Sequence, residues 1–107
     1  MAARKTPRRA RRELVWSDRA LRDLQAIDAY IAADDPIAAE RWIDKLLAAA
    51  QRAAVLPHSG QAVRERGHEH LRQILVRTYR IVYRFDDKNV EIVTVFEGHH
   101  LLPDDVK

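Results

Sequence analysis

Two arginines stand in a run of alternating side chains, Tyr79-Arg80-Ile81-Val82-Tyr83-Arg84-Phe85. In a strand, successive side chains point to opposite faces. Tyr79, Ile81, Tyr83 and Phe85 then share one face, and Arg80, Val82 and Arg84 the other. A guanidinium grips phosphate or carboxylate at two points and stays charged at any cellular pH. In the preceding run, Arg72 alternates with Ile74 and Val76 against Leu71, Gln73 and Leu75, and could join the same open face. A second reading stays open beside the first. The face could be an ordinary solvated one, its arginines paired with Glu91 or Glu97 on the next strand.

The five histidines offer other chemistry. His68-x-His70 and His99-His100 are close enough in sequence to suggest a metal. Yet there is no Cys and no HExxH spacing, so no metal and no cofactor are expected. His68 and His70 fall in a polar loop and read as solvated. His99 and His100 close the last strand, where a structural or partner-contact role competes with an acid–base one.

The elements that must position these groups follow from periodicity. Glu13–Trp16 reads as a first strand. Ser17 or Asp18 can cap a helix, and Ala20, Leu24, Ile27 and Ile31, widened by Leu21, give it one apolar face to about Ala33. Asp35-Pro36 restarts the chain with a cap and a first-turn proline. Ala39, Ile43, Leu46, Ala50 and Ala53 make the second stripe, flanked by Trp42 and Leu47, and Leu56-Pro57 ends it. So short a connection makes the helices an antiparallel hairpin. His58–His70 reads as a loop. The period then changes to two, and Leu71–Val76, Tyr79–Phe85 and Val90–Phe96 read as an antiparallel meander turning at Arg77-Thr78 and at Asp86–Asn89. The expected class is α+β, in the order β-α-α-β-β-β. The helical hairpin should lie on the Tyr79 face of an antiparallel sheet. Trp16, Tyr30 and Trp42 are expected in the core rather than as a platform for stacking bases.

The totals agree with one small domain of 107 residues. Lack of Cys excludes disulfides and thiol catalysis and fits a reducing compartment. With no apolar run of spanning length, no membrane is expected and the cytoplasm is the default location. The net charge of +3 is unevenly spread. Residues 1–12 hold six basic residues and no acid, a charge of +6, which leaves 13 basic against 16 acidic residues, −3, in 13–107. Residues 1–12 read as a flexible basic arm ahead of a domain spanning 13–107. Such an arm either holds phosphates or is a solvated tail.

The string Leu71-Arg72-Gln73-Ile74-Leu75-Val76-Arg77-Thr78-Tyr79-Arg80-Ile81-Val82-Tyr83-Arg84-Phe85 resembles the RelE/ParE superfamily of bacterial toxins. So do Val90–Val95, Gly98-His99-His100, the helix opening Ser17–Leu24 and the helix close Leu56–Gly60. The resemblance covers residues 14–103. It implies the toxin of a type II toxin–antitoxin system, with the ParE-like branch favoured. Such a toxin inhibits growth by poisoning DNA gyrase, and a cognate antitoxin, here expected to be a ribbon-helix-helix ParD-like protein, wraps and silences it. The alternative it implies is a RelE-like endoribonuclease, with the ribosome and mRNA as its targets. RNA cleavage needs a base, a stabiliser of phosphate charge and an acid. Those roles would fall to Glu65 or Glu69, to Arg72 and Arg80, and to His99 or His100. Ile74 stands where a second basic residue is expected, no Lys lies between Lys45 and Lys88, and no Tyr follows Tyr83. These departures favour the ParE-like branch. Arg72, Arg80, Tyr83 and Arg84 are then the residues expected to meet the target or the antitoxin.

Overall fold

The computed structural model describes residues 12–106. Apart from Arg12, the basic arm lies outside the described residues. The element order is β1 (Glu13–Trp16), α1 (Asp18–Ala32), α2 (Pro36–Val55), a 3-10 turn (Pro57–Ser59), β2 (Gln61–Ala62), β3 (Arg72–Val76), β4 (Tyr79–Phe85) and β5 (Asn89–Glu97).

Both helix starts are capped by the expected residues. Ser17 Oγ accepts from the Ala20 amide at 3.0 Å and donates to the Val93 carbonyl at 2.8 Å, so one hydroxyl caps α1 and ties it to β5. Asp35 Oδ1 accepts from the Ala38 amide at 3.1 Å, with Pro36 in the first turn. The hairpin lays Ala20, Leu24, Leu46, Ala49, Ala50 and Ala53 on Ile81, Tyr83, Val90, Ile92 and Val95 of the sheet. Alanines on α2 let its backbone come close, so the core is filled chiefly by the sheet's larger side chains.

The five strands lie in the order β1-β5-β4-β3-β2. β2, β3, β4 and β5 are antiparallel to their neighbours, as the meander requires. The sheet is antiparallel as expected except at one edge, where β1 pairs with β5 in parallel, Val15 opposite Glu91. The chain leaves β1 into α1 and returns to β5 only after the whole meander, which permits a parallel pairing. The loop expected over 58–70 also gives way, holding the end of the 3-10 turn and the two-residue strand β2, too short to show a period of two.

One irregularity organises β5. Val82 faces Thr94 and Tyr83 faces Ile92, which leaves Val93 in a bulge. Plain alternation would put Thr94 under the helices, but the bulge puts Val95 there. Asp23 of α1 covers the irregularity, accepting from the Val95 amide at 2.9 Å and from Thr94 Oγ1 at 2.6 Å.

Tyr30 corrects the expected aromatic core, since it is 80 % exposed. Trp16 packs on the core and Trp42 stands edge-on to Tyr79 at 5.4 Å. Leu21 and Leu47 are also exposed and do not widen the buried stripes.

Candidate functional site

The sheet's second face is covered around Val82 and Arg80. Val82 and Val93 meet Val63 and Leu71 from the loop before β3, and Leu102 and Val106 from the tail, with Phe96 packed against them. The open arginine face expected from alternation is therefore corrected at Arg80. The loop and tail carry no periodicity, yet they supply apolar side chains that cover the strand.

Arg80 sits inside this cover, 7 % exposed. Its guanidinium holds both oxygens of Glu65, Nη1 to Oε2 at 3.0 Å and Nη2 to Oε1 at 3.1 Å. Nε donates to Gln73 Oε1 at 2.9 Å, and Nη1 also donates to the His100 carbonyl at 3.4 Å. The ring of Phe96 lies 4.8 Å from the guanidinium carbon. Glu65 accepts in addition from the Leu102 amide at 3.1 Å. These bonds hold the Glu65 carboxyl at about 2, well below the ordinary value of 4.5, with the hydrogen bond from Arg80 the largest cause. A carboxylate so deeply stabilised is a poor proton acceptor. Arg80 thus joins β4, the loop and the tail at one point.

The other expected residues lie elsewhere. Arg72 pairs across the ladder with Tyr83, and Leu75 with Arg80, so Arg72 and Arg80 lie on opposite faces. The expectation that Arg72 shares the Arg80 face is corrected by this register. Arg72 Nη1 donates to the Gly60 carbonyl at 2.7 Å and to that of His58 at 3.3 Å. Tyr83 is also corrected as a contact residue, because it is fully buried. Its hydroxyl donates to the Pro57 carbonyl at 2.6 Å and accepts from the Gly60 amide at 3.1 Å. Gly60 has to be glycine here, because a Cβ would stand 2.3 Å from that hydroxyl. Burial raises the Tyr83 phenol, so it is held as a neutral donor. Arg84 is exposed and pairs with Glu91 at 2.8 Å, as the solvated-face reading had it.

His99 is 83 % exposed at its side chain and lies 2.7 Å from Glu97, whose carboxyl it lowers. Glu97 therefore serves His99 and not an arginine. His100 reaches Arg80 through its backbone alone in the bonds above. Glu69 is exposed and lowered mainly by backbone amides. His68 Nδ1 is buried without a partner, so the expectation that this ring is solvated is corrected; its neighbour His70 stands 6.4 Å away. Among the described residues no group of three His, Cys, Asp or Glu could hold a metal. Gln73, Phe96 and Leu102, which hold Arg80 in place, went unnoticed in the sequence. The signal for Gln73 was its place opposite Val82 in a two-residue hairpin.

Away from the Arg80 cover, two of the surface grooves border the helices. One, of about 410 Å³, lies between the helices and is lined by Leu24, Pro36 and Ile43 with Asp28, Glu40 and Asp44 at its rim. The other, of about 430 Å³, runs between the end of α2 and β3, with Arg52, Leu56, Ile74 and Leu75 in its lining. Leu56 and Leu75 are large apolar side chains left exposed there, and Val55 is exposed near the end of α2. β2 pairs only with Arg72 and Gln73, so among the described residues the outer edge of Ile74–Val76 has no strand partner.

Residues 14–101 match the family model for the ParE toxin of the type II toxin–antitoxin system parDE. The chain belongs to the ParE toxin family. It is 37 % identical over 94 residues to the Y4kP protein of Sinorhizobium fredii, a candidate toxin; the match covers 88 % of this chain and 96 % of that one. It is 36 % identical over 83 residues to the toxin RelE2 of Caulobacter vibrioides, covering 78 % and 91 %. Its fold is that of two solved structures. The chromosomal ParDE system of P. aeruginosa superposes with a TM-score of 0.67 at 20 % identity, covering 80 % of this chain and 95 % of that one. The RelBE2 toxin–antitoxin complex of Mycobacterium tuberculosis gives 0.65 at 22 %, covering 84 % and 94 %. The family membership agrees with the resemblance to the RelE/ParE superfamily carried by the sequence. Among the described residues no helix is long and apolar enough to cross a membrane.

Proposed function

We propose that this ParE-family toxin acts by binding, as a poison of DNA gyrase with no bond-breaking chemistry of its own, and that a ParD-like antitoxin neutralises it. The observation that carries this reading is the state of Arg80. Both oxygens of its partner Glu65 are engaged and that carboxyl is held at about 2. A nuclease would need this arginine free for phosphate and a base near neutral pKa. Arg72, on the opposite face, cannot complete such a set. The exposed Leu56 and Leu75 beside the unpaired edge of β3 suit an extended apolar segment, and the antitoxin is the natural occupant.

The endoribonuclease reading keeps one observation in its favour. Arg80 gathers Glu65 and the His100 backbone, so an acid, an arginine and a histidine residue do converge. The purified chain added to gyrase and supercoiled DNA is expected to accumulate cleaved DNA. Primer extension on translated mRNA is expected to show no codon-phased cuts, and their appearance would overturn the gyrase reading.

A further inference from the structure

Trp42 of α2 meets Tyr79 of β4 edge-on, with ring centroids 5.4 Å apart and planes at 72°. Both side chains are only half-buried. The Lys45 ammonium lies over the Trp42 ring, 5.3 Å from its centroid. Burial, Glu97 and Tyr30, in that order, raise the Tyr79 phenol, so the exposed Tyr30 is within electrostatic reach of it. Among the described residues, the Trp42 indole N–H and the hydroxyls of Tyr30 and Tyr79 make no hydrogen bond. Buried Trp and Tyr tips usually find a partner inside the fold. These three find none.

The charges free to act around these rings are positive. Arg41 and Lys45 are four residues apart on α2 and therefore neighbours on one side of it, and Arg77 stands in the turn before Tyr79. Among the described residues, none of the three has a carboxylate within salt-bridge distance. Like charges four apart weaken a helix on its own. The acids of the same stretch are turned away or engaged. Glu40 and Asp44 line the groove between the helices, and Glu97, across the ladder from Tyr79, is paired with His99.

We infer that Tyr30, Trp42 and Tyr79, rimmed by Arg41, Lys45 and Arg77, form the surface by which the toxin docks on an acidic face of gyrase; this rests on the gyrase reading above. Interface cores are rich in Trp, Tyr and Arg, and such rings lose little freedom on binding. The open tips are hydrogen-bond donors and the rim is cationic, so the complementary surface carries carboxylates. Nucleic acid is the poorer occupant. Base stacking needs an open ring face, whereas Trp42 has Lys45 over its ring and Tyr79 against it. The position also accounts for neutralisation. Tyr79 pairs with Val76, the last residue of the edge that has no strand partner. A segment laid along that edge ends beside the patch and keeps gyrase off it.

The test is biolayer interferometry of the full chain on immobilised gyrase holoenzyme at about 50 and about 300 mM salt, beside the gyrase cleavage assay. The variants are Tyr30→Ala, Trp42→Phe, the double change Arg41→Glu with Lys45→Glu, and Lys88→Glu, a charge reversal at the other end of β4. Far-UV circular dichroism checks each fold. Tyr30→Ala is expected to weaken binding about tenfold or more, through faster dissociation. Trp42→Phe keeps a ring against Tyr79 but removes the N–H, and should weaken binding about fivefold. The double reversal should slow association about tenfold at low salt and much less at high salt, with Lys88→Glu within about twofold of the parent. Cleaved DNA should fall in step with affinity. If the parent binds and the patch variants bind no worse than Lys88→Glu, the inference is overturned and the gyrase reading stands. A parent that does not bind gyrase overturns both. Unchanged gyrase binding, with loss of binding to a labelled single-stranded DNA in the same variants, overturns the inference in favour of nucleic acid.

Discussion

The two faces of one sheet are built differently. The helix side is made by long, capped, periodic elements, and its apolar cluster runs from Ala20 to Val95. The opposite side is made by a loop and a tail without periodicity, and its cluster of Val63, Leu71, Val82, Val93, Leu102 and Val106 closes round an ion pair. The first face is held by area, the second by a point. Apolar burial is non-directional and tolerates small shifts, whereas a bidentate pair requires its geometry. The helix side should therefore govern global stability and the Arg80 side local order.

The comparison can be broken by substitution. Tyr83→Ala should have the largest effect, a loss of about 3–5 kcal/mol in urea unfolding, with all amides losing protection together in hydrogen exchange. Arg80→Ala should lower stability by about 2–4 kcal/mol, because it strands the Glu65 carboxylate. Its exchange should rise first in 63–71 and 98–106. Uniform loss of protection in that variant would show that the second face is not a separate unit.

Acid should act on the same face. The Glu65 carboxyl is lowered in the fold, from 4.5 to about 2. Its contribution is fully present above about pH 4.5 and is lost as the pH falls toward 2. The shift sets an upper bound of about 3 kcal/mol, reduced by solvent because the side chain is 24 % exposed. Glu65→Gln should thus be less stable than the parent at pH 7, and the difference should shrink to near zero at pH 2. A gap that persists at pH 2 would place the effect in packing instead. Gly60→Ala, which forces a Cβ on Tyr83, should lose about 1–3 kcal/mol in thermal unfolding. Arg84→Ala should be smallest, below about 1 kcal/mol, since the pair with Glu91 is exposed.

The same contrast decides what could be read beforehand. Caps, the apolar stripes of both helices, the three long strands and the inward face of β4 all announce themselves by spacing. Arg72 was also legible, though its register was left open. A two-residue turn at Arg77-Thr78 makes Val76 face Tyr79, and counting back puts Arg72 opposite Tyr83 and away from Arg80. Arg77 carries the positive φ, 55°, that so tight a turn needs. The cover over Arg80 was not legible in this way. Val63, Leu71, Leu102 and Val106 come from separate stretches with no common period, so their meeting depends on the finished sheet. The bulge at Val93 was hidden for a similar reason, since the carboxylate that bonds beside it, Asp23, is some 70 residues away in sequence.

The parallel pairing of β1 with β5 bears on how the molecule comes into being. Val15 waits for Glu91. Until the last strand exists, β1 has no neighbour, α1 has no sheet to lie on and Ser17 has no Val93 carbonyl to hold. Closing so long a loop is slow compared with forming the helical hairpin. A growing chain therefore stays unfinished through most of its synthesis, and the complete toxin surface arrives in one late step, when the two ends of the chain meet.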